Sequence, residues 1–237
     1  MKRSSAPLLS ISLLSCTSVE ESILWEGYLF EQSTDGVLPL ENSSLELIDS
    51  TGTTISEGSI PAGRPSHYQR IVLMPDLLEQ PVELRVSSPT TIPILWSGES
   101  PSKSATWLAG GLFAIERSFG LDFLNTFATT VDIEPTGPVH LWGEPFRPEE
   151  WIDVEISISD TEQEYPVYTF SQLSNGLIST NVDAGIDWFF AWNLPPVPLT
   201  LRIDTPDGST ITTVYHPQEG DILSALYYAL PQEELSP

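Results

Sequence analysis

One cysteine, Cys16, stands in a chain of 237 residues, so no internal disulfide can form and no cysteine-based zinc set can be assembled. Basic residues are almost as scarce. Nine lysines and arginines face 33 aspartates and glutamates, for a formal net charge of −24. Phosphate backbones are held by clustered cations, so this balance excludes nucleic acid as a partner and disfavours anionic lipid headgroups. An acidic excess suits divalent cations, a cationic partner or a plain solvated coat, of which the coat is the simplest. The three histidines, His67, His140 and His216, share no ligand spacing of the His-x-x-x-His kind. Walker and dinucleotide glycine motifs are absent, as is a Gly-x-Ser-x-Gly elbow, so no cofactor is implied. Carboxylates such as Asp160, Glu162 and Glu164 would do glycosidase work only if two converged across a cleft. No apolar run is long enough to cross a bilayer as a helix.

What is present starts with a leader. Lys2 and Arg3 supply a positive n-region, and residues 6–15 form an apolar stretch of ten, the pattern of a targeting segment that is removed. The order Leu13-Leu14-Ser15-Cys16 resembles the lipobox of bacterial lipoproteins. That resemblance implies a diacylglyceryl group on the Cys16 thiol, cleavage before it, and a mature protein held at a membrane by its acyl chains. Each buried methylene contributes about 0.8 kcal/mol, so several chains suffice without a spanning helix. Thr17, where such proteins retained at the inner membrane carry Asp, points to the outer membrane. The remaining body carries seven basic residues against 33 acidic, and Lys103 is its only lysine.

Period-two alternation runs through that body. Val82, Leu84 and Val86 alternate with Glu83 and Arg85; Val154, Ile156 and Ile158 alternate with Glu155 and Ser157; Leu199, Leu201 and Ile203 alternate with Thr200 and Arg202. Turn signals such as Asp35-Gly36, Asn175-Gly176 and Asp207-Gly208 separate these runs, and 21 prolines oppose long helices. An internal repeat sets the organisation. Pro81-Val82-Glu83-Leu84-Arg85-Val86 returns as Pro198-Leu199-Thr200-Leu201-Arg202-Ile203, an offset that also lays Leu24-Trp25 on Leu141-Trp142 and Ile94 on Ile211.

The expected fold is therefore all-β: two tandem antiparallel β-sandwich domains with a short helical connector. The boundaries read as a signal peptide over 1–15, a tether over 16–19, sandwiches over 20–113 and 138–231, a connector over 114–137, and a tail over 232–237. The segment from Trp25-Glu26-Gly27-Tyr28-Leu29-Phe30 through Pro39-Leu40 to Leu45 and Gly52 resembles carboxypeptidase regulatory-like domains of the transthyretin-like superfamily, which implies a non-catalytic accessory module. An immunoglobulin-like sandwich is the competing topology. In the connector, Ile115, Phe119, Phe123 and Phe127 fall four apart and make one apolar helical stripe, with Gly120 working against it. The run from Ile222 to Leu230 suits a strand or a helix.

Two features stand out as binding candidates. Strand alternation puts Trp188, Phe190 and Trp192 on one face, which is core if covered and a platform for sugar rings or a protein partner if exposed. Asp204 and Asp207 flank a turn and are weak candidates for Ca²⁺, which wants six to eight oxygens; a plain Asp-Gly hairpin turn is the simpler reading. The functional expectation is a lipid-anchored envelope protein acting as a non-catalytic interaction or structural module, with an envelope protein or glycan as partner. The alternative is a hydrolase with a carboxylate site between the two domains. Two or three inward-pointing acids beside a histidine would favour the alternative.

Overall fold

The computed structural model describes residues 23–40, 42–60, 68–103, 105–106, 112–145, 147–183 and 185–228. The leader, Cys16, the tether and the tail lie outside them. Among the described residues the first half holds ten strands: β1 (Ile23–Ser33), β2 (Gly36–Pro39), β3 (Ser43–Asp49), β4 (Thr54–Ile60), β5 (Tyr68–Leu73), β6 (Pro81–Ser87), β7 (Thr91–Ile92), β8 (Ile94–Glu99), β9 (Ala105–Thr106) and β10 (Leu112–Glu116). A helix follows, α1 (Arg117–Thr130). Nine further strands follow among the described residues: β11 (Val139–Pro145), β12 (Glu155–Ser159), β13 (Glu164–Tyr165), β14 (Tyr168–Gln172), β15 (Ile178–Ser179), β16 (Trp188–Leu194), β17 (Leu199–Asp204), β18 (Thr210–Tyr215) and β19 (Ile222–Tyr228). The protein is all-β with one helix in the connector, as the alternation and the phenylalanine stripe predict.

The two halves repeat one set of pairings. β1 pairs antiparallel with β5 and parallel with β10, while β3, β6 and β8 form an antiparallel run. In the second half β11 pairs antiparallel with β16 and parallel with β19, while β12, β17 and β18 form the matching antiparallel run. The recurring Pro-x-x-Leu-Arg motif thus lands on β6 and β17, the middle strand of each run. The apolar positions of the period are buried in both, Val82, Leu84 and Val86 in one and Leu199, Leu201 and Ile203 in the other, but the intervening positions are open only in β17.

The halves do not stop at a linker. β19 pairs in parallel with β8, Ile222 opposite Ile94 and Leu223 opposite Leu95, which joins strands of both halves in one nine-stranded sheet. Ile48 and Leu95 accordingly pack in a core made mostly of second-half residues. The run from Ile222 is a strand because this pairing and that with β11 satisfy both of its edges.

Helix α1 lies across the same seam. Leu124, Phe127 and Ala128 are buried, and Phe123 stacks on Trp142 at 4.4 Å between ring centroids. Gly120 belongs to this packing, since a Cβ there would approach Ile115 and Ile92 to 2.8 Å. The residue that counts against the helix by propensity is the one that lets the helix reach the sheet.

Candidate functional site

Charged side chains meet on the seam between the halves. In β6, Glu83 and Arg85 occupy the positions that alternation assigns to a solvent face, yet they are 2% and 4% exposed. The second half covers that face. Arg85 donates through Nε and Nη2 to Asp221 Oδ2 at 3.1 and 3.0 Å, and through Nη1 to Glu46 Oε2 at 3.1 Å. Its Nη2 also reaches the carbonyl of His216 at 3.2 Å. Asp221 Oδ2 accepts a further bond from the backbone N–H of Gln218 at 2.8 Å. Glu83 receives the backbone N–H of His216 on Oε1 at 2.7 Å, with the ring Nδ1 3.3 Å from Oε2.

Desolvation dominates the electrostatics. Burial raises the Glu83 carboxyl from 4.5 to about 7, against the pull of the His216 amide and of Arg85. Burial also raises Asp221, opposed by the Gln218 amide and Arg85, and lowers the His216 imidazole, opposed by the Asp49 carboxylate. A groove of about 630 Å³ opens beside this network, lined by Pro81, Val82, Glu83 and Gly98 on one side and Val214 and His216 on the other. Ser97 Oγ donates to the Val214 carbonyl at 3.0 Å and ties β8 to β18 at its floor.

The arrangement has two chemical capacities. A buried arginine with two carboxylates and a carbonyl fixes the relative position of the strands that carry them. A carboxyl titrating near neutrality beside an imidazole is able to exchange a proton with a group held in the groove. The acids and histidine of this network were not distinguishable in the sequence from solvated strand positions. The repeat itself masks them, because Arg202 occupies the position of Arg85 and is exposed, paired only with Asp204.

The residues singled out by sequence fall elsewhere. Trp188, Phe190 and Trp192 do not form an open aromatic platform. Phe190 is fully buried, Trp192 is 5% exposed, and both pack in the core beneath α1, where Phe127 lies 4.7 Å from Phe190 and 5.2 Å from Trp188. The stripe of α1 covers the face that alternation left available. Asp204 takes two bonds from Arg202 and one from Thr210, and Asp207 caps its own turn by accepting from Thr205 and from the Ser209 N–H at 2.9 Å. Hydrogen bonds within a hairpin thus occupy these carboxylates, and Gly208 supplies the positive φ of +87° the turn requires. Among the described residues, no group of three or more His, Asp or Glu side chains is placed to hold a metal ion. Asp160 likewise serves its own turn, accepting from the amides of Glu162 and Gln163 and from the Tyr165 hydroxyl. Cys16 lies outside the described residues.

No protein-family model matches the sequence, and no curated protein is similar to it. Among solved structures the chain is similar to the Bacillus anthracis TIE protein, at 10% identity with a TM-score of 0.28, over 86% of this chain and 33% of that one. The chain spans about a third of the length of that solved chain. No helix among the described residues is long and apolar enough to cross a membrane.

Proposed function

We propose that the protein is a lipid-anchored component of the cell envelope, held through Cys16 and acting as a non-catalytic interaction or structural module. The observation that carries the second half of this reading is the commitment of the converging acids. Glu46 is spent on Arg85 within the first half, while Asp221 on Arg85 and Glu83 on the His216 amide are bonds across the seam that fasten the two sandwiches to each other. A rigid pair of sandwiches suits a spacer or docking platform at an outer membrane, with an envelope protein or glycan as its partner. The opening of the first sandwich keeps its resemblance to transthyretin-like regulatory domains, which fits the same reading. The anchor is supported by the leader, the lipobox order and the acyl-chain energetics. Cys16→Ser should move the protein from the membrane fraction to the soluble fraction and abolish incorporation of labelled fatty acid. Unchanged fractionation and labelling would remove the anchor from the proposal.

One observation favours a hydrolase instead: Glu83, at about 7, sits beside His216 at the edge of an open groove. The two readings separate on Glu83→Gln, which keeps the shape and the bond from the His216 amide. A module retains partner capture by crosslinking in intact cells. A hydrolase acting at this groove loses turnover of chromogenic glycosides or esters that the unaltered protein cleaves.

A further inference from the structure

A second groove, of about 530 Å³, lies at the other end of the seam, where the first turns of α1 face β7, the start of β11 and the turn entering β19. Leu121, Leu124, Ile92 and Ile222 supply apolar lining, and Pro135, Pro138 and Pro196 stiffen its rim. Leu121 remains 46% exposed there, an apolar side chain facing an open concavity. Two nitrogen donors line the same space. Arg117 donates through Nη2 to the Thr91 carbonyl at 3.0 Å. Of the arginines whose side chains are described, Arg85, Arg147 and Arg202 are paired with carboxylates and Arg117 is not. In a chain with 33 acidic residues, a cation left for a groove is a selective feature. His140 is the other donor. Its Nδ1 accepts the backbone N–H of Asn193 at 3.4 Å, which fixes the hydrogen of the neutral ring on Nε2. Burial holds this imidazole down at about 4, so at neutral pH it offers an N–H without a charge.

An apolar wall with a few converging polar groups is the general form of a small-molecule site, and the volume falls within the usual range. The sign of the charges selects the ligand. Glu219 also lines the groove, and the whole molecule is strongly anionic, so a phosphate dianion is repelled where a single carboxylate charge is compensated by Arg117. We propose that this groove binds an apolar monocarboxylate, with its carboxylate against Arg117 and the Nε2–H of His140 and its hydrocarbon along Leu121, Leu124 and Ile222. The chemistry is shared by a free acyl acid and by the C-terminus of an apolar peptide.

The test is calorimetric titration of the purified full chain carrying Cys16→Ser, which removes acyl groups that would compete. Octanoate and N-acetyl-Leu-Leu are the probes, and octanol and octyl phosphate the controls. Saturable one-to-one binding of either carboxylate, at least tenfold tighter than octanol and octyl phosphate, is expected, and the tighter of the two identifies the source. Arg117→Gln should weaken carboxylate binding tenfold or more and leave octanol unchanged, while Leu121→Ser should weaken the longer of two fatty acids more than the shorter. Both side chains are at the surface, so the thermal midpoints of the free variants should match the parent. Absence of saturable binding by both carboxylates, equal affinity for octanol, or undiminished binding in Arg117→Gln overturns the proposal.

Discussion

Arg85 and Arg202 are the same letter of a repeated motif in two environments. Removing Arg85 leaves Asp221 buried without its counterion and Glu46 without its partner, a loss of the kind that costs about 3–5 kcal/mol. Arg202 is surface-exposed and pairs locally with Asp204, so its removal should leave the unfolding midpoint nearly unchanged. Urea unfolding of Arg85→Ala and Arg202→Ala should show that difference in midpoint, and equal effects would mean the seam network contributes nothing to stability. The titrations have opposite signs. Glu83 has a folded value of about 7 above its ordinary 4.5, so its contribution is full below about 4.5 and is lost as pH rises through 7. His140 sits at about 4 below its ordinary 6.5, so its contribution is full above 6.5 and is lost as pH falls through 4. Each amounts to about 3 kcal/mol at most, and they oppose each other between 4.5 and 6.5. Relative to the parent, Glu83→Gln should therefore gain stability with rising pH across 4.5–7, and His140→Gln should lose it across 4–6.5. Arg85, Glu46, Asp221, Asp49 and His216 surround Glu83 in both proteins, so the comparison isolates one carboxyl. A pH-independent difference in urea midpoint would show that neither group is perturbed.

At the scale of elements, α1 matters for the face it covers. Its phenylalanines close a core shared with Trp142, Phe170 and Phe190, and without them those rings would face water. Phe127→Ala should cost about 3–5 kcal/mol through the cavity it leaves. Gly120→Ala tests the packing more sharply, because helix propensity alone predicts a gain of about 1 kcal/mol. A Cβ 2.8 Å from Ile115 and Ile92 predicts a net loss of about 1–3 kcal/mol instead. A rise in the thermal midpoint would mean the helix is free to shift off the sheet. Gly143 in β11 is constrained in the same way, with the ring of Phe189 lying where its Cβ would stand.

For the molecule as a whole, the pairing of β8 with β19 and the mixed cores determine how it unfolds. A fragment of residues 138–231 would lack the β8 edge that pairs with Ile222, Leu223 and Ser224, and would expose the apolar side chains that pack on Ile48 and Leu95. Full-length chain should melt in a single transition, with calorimetric and van't Hoff enthalpies equal. Two resolved transitions, or a fragment that unfolds cooperatively with the midpoint of the intact chain, would mean that each repeat holds its own core and the seam is a contact between finished domains.

The sequence by itself determined the all-β character, the recurring strand motif and the helical connector, because side-chain period and turn chemistry are local properties. Val82, Leu84 and Val86 mark a strand wherever that strand ends up, and Phe119, Phe123 and Phe127 mark a helix face whatever lies beneath it. Local pattern says nothing of what covers the other face. Glu83 and Arg85 read as solvated, and only the arrival of Asp221 and His216, more than 130 residues later, buries them. For Trp188, Phe190 and Trp192 the alternation favours core, but only α1 lying across them removes the platform reading. The groove between Arg117 and His140 depends in the same way on chain segments brought together by the seam. Burial of charge and the shape of a cavity depend on pairs of residues distant in the chain, and the tertiary structure alone decides which pairs meet.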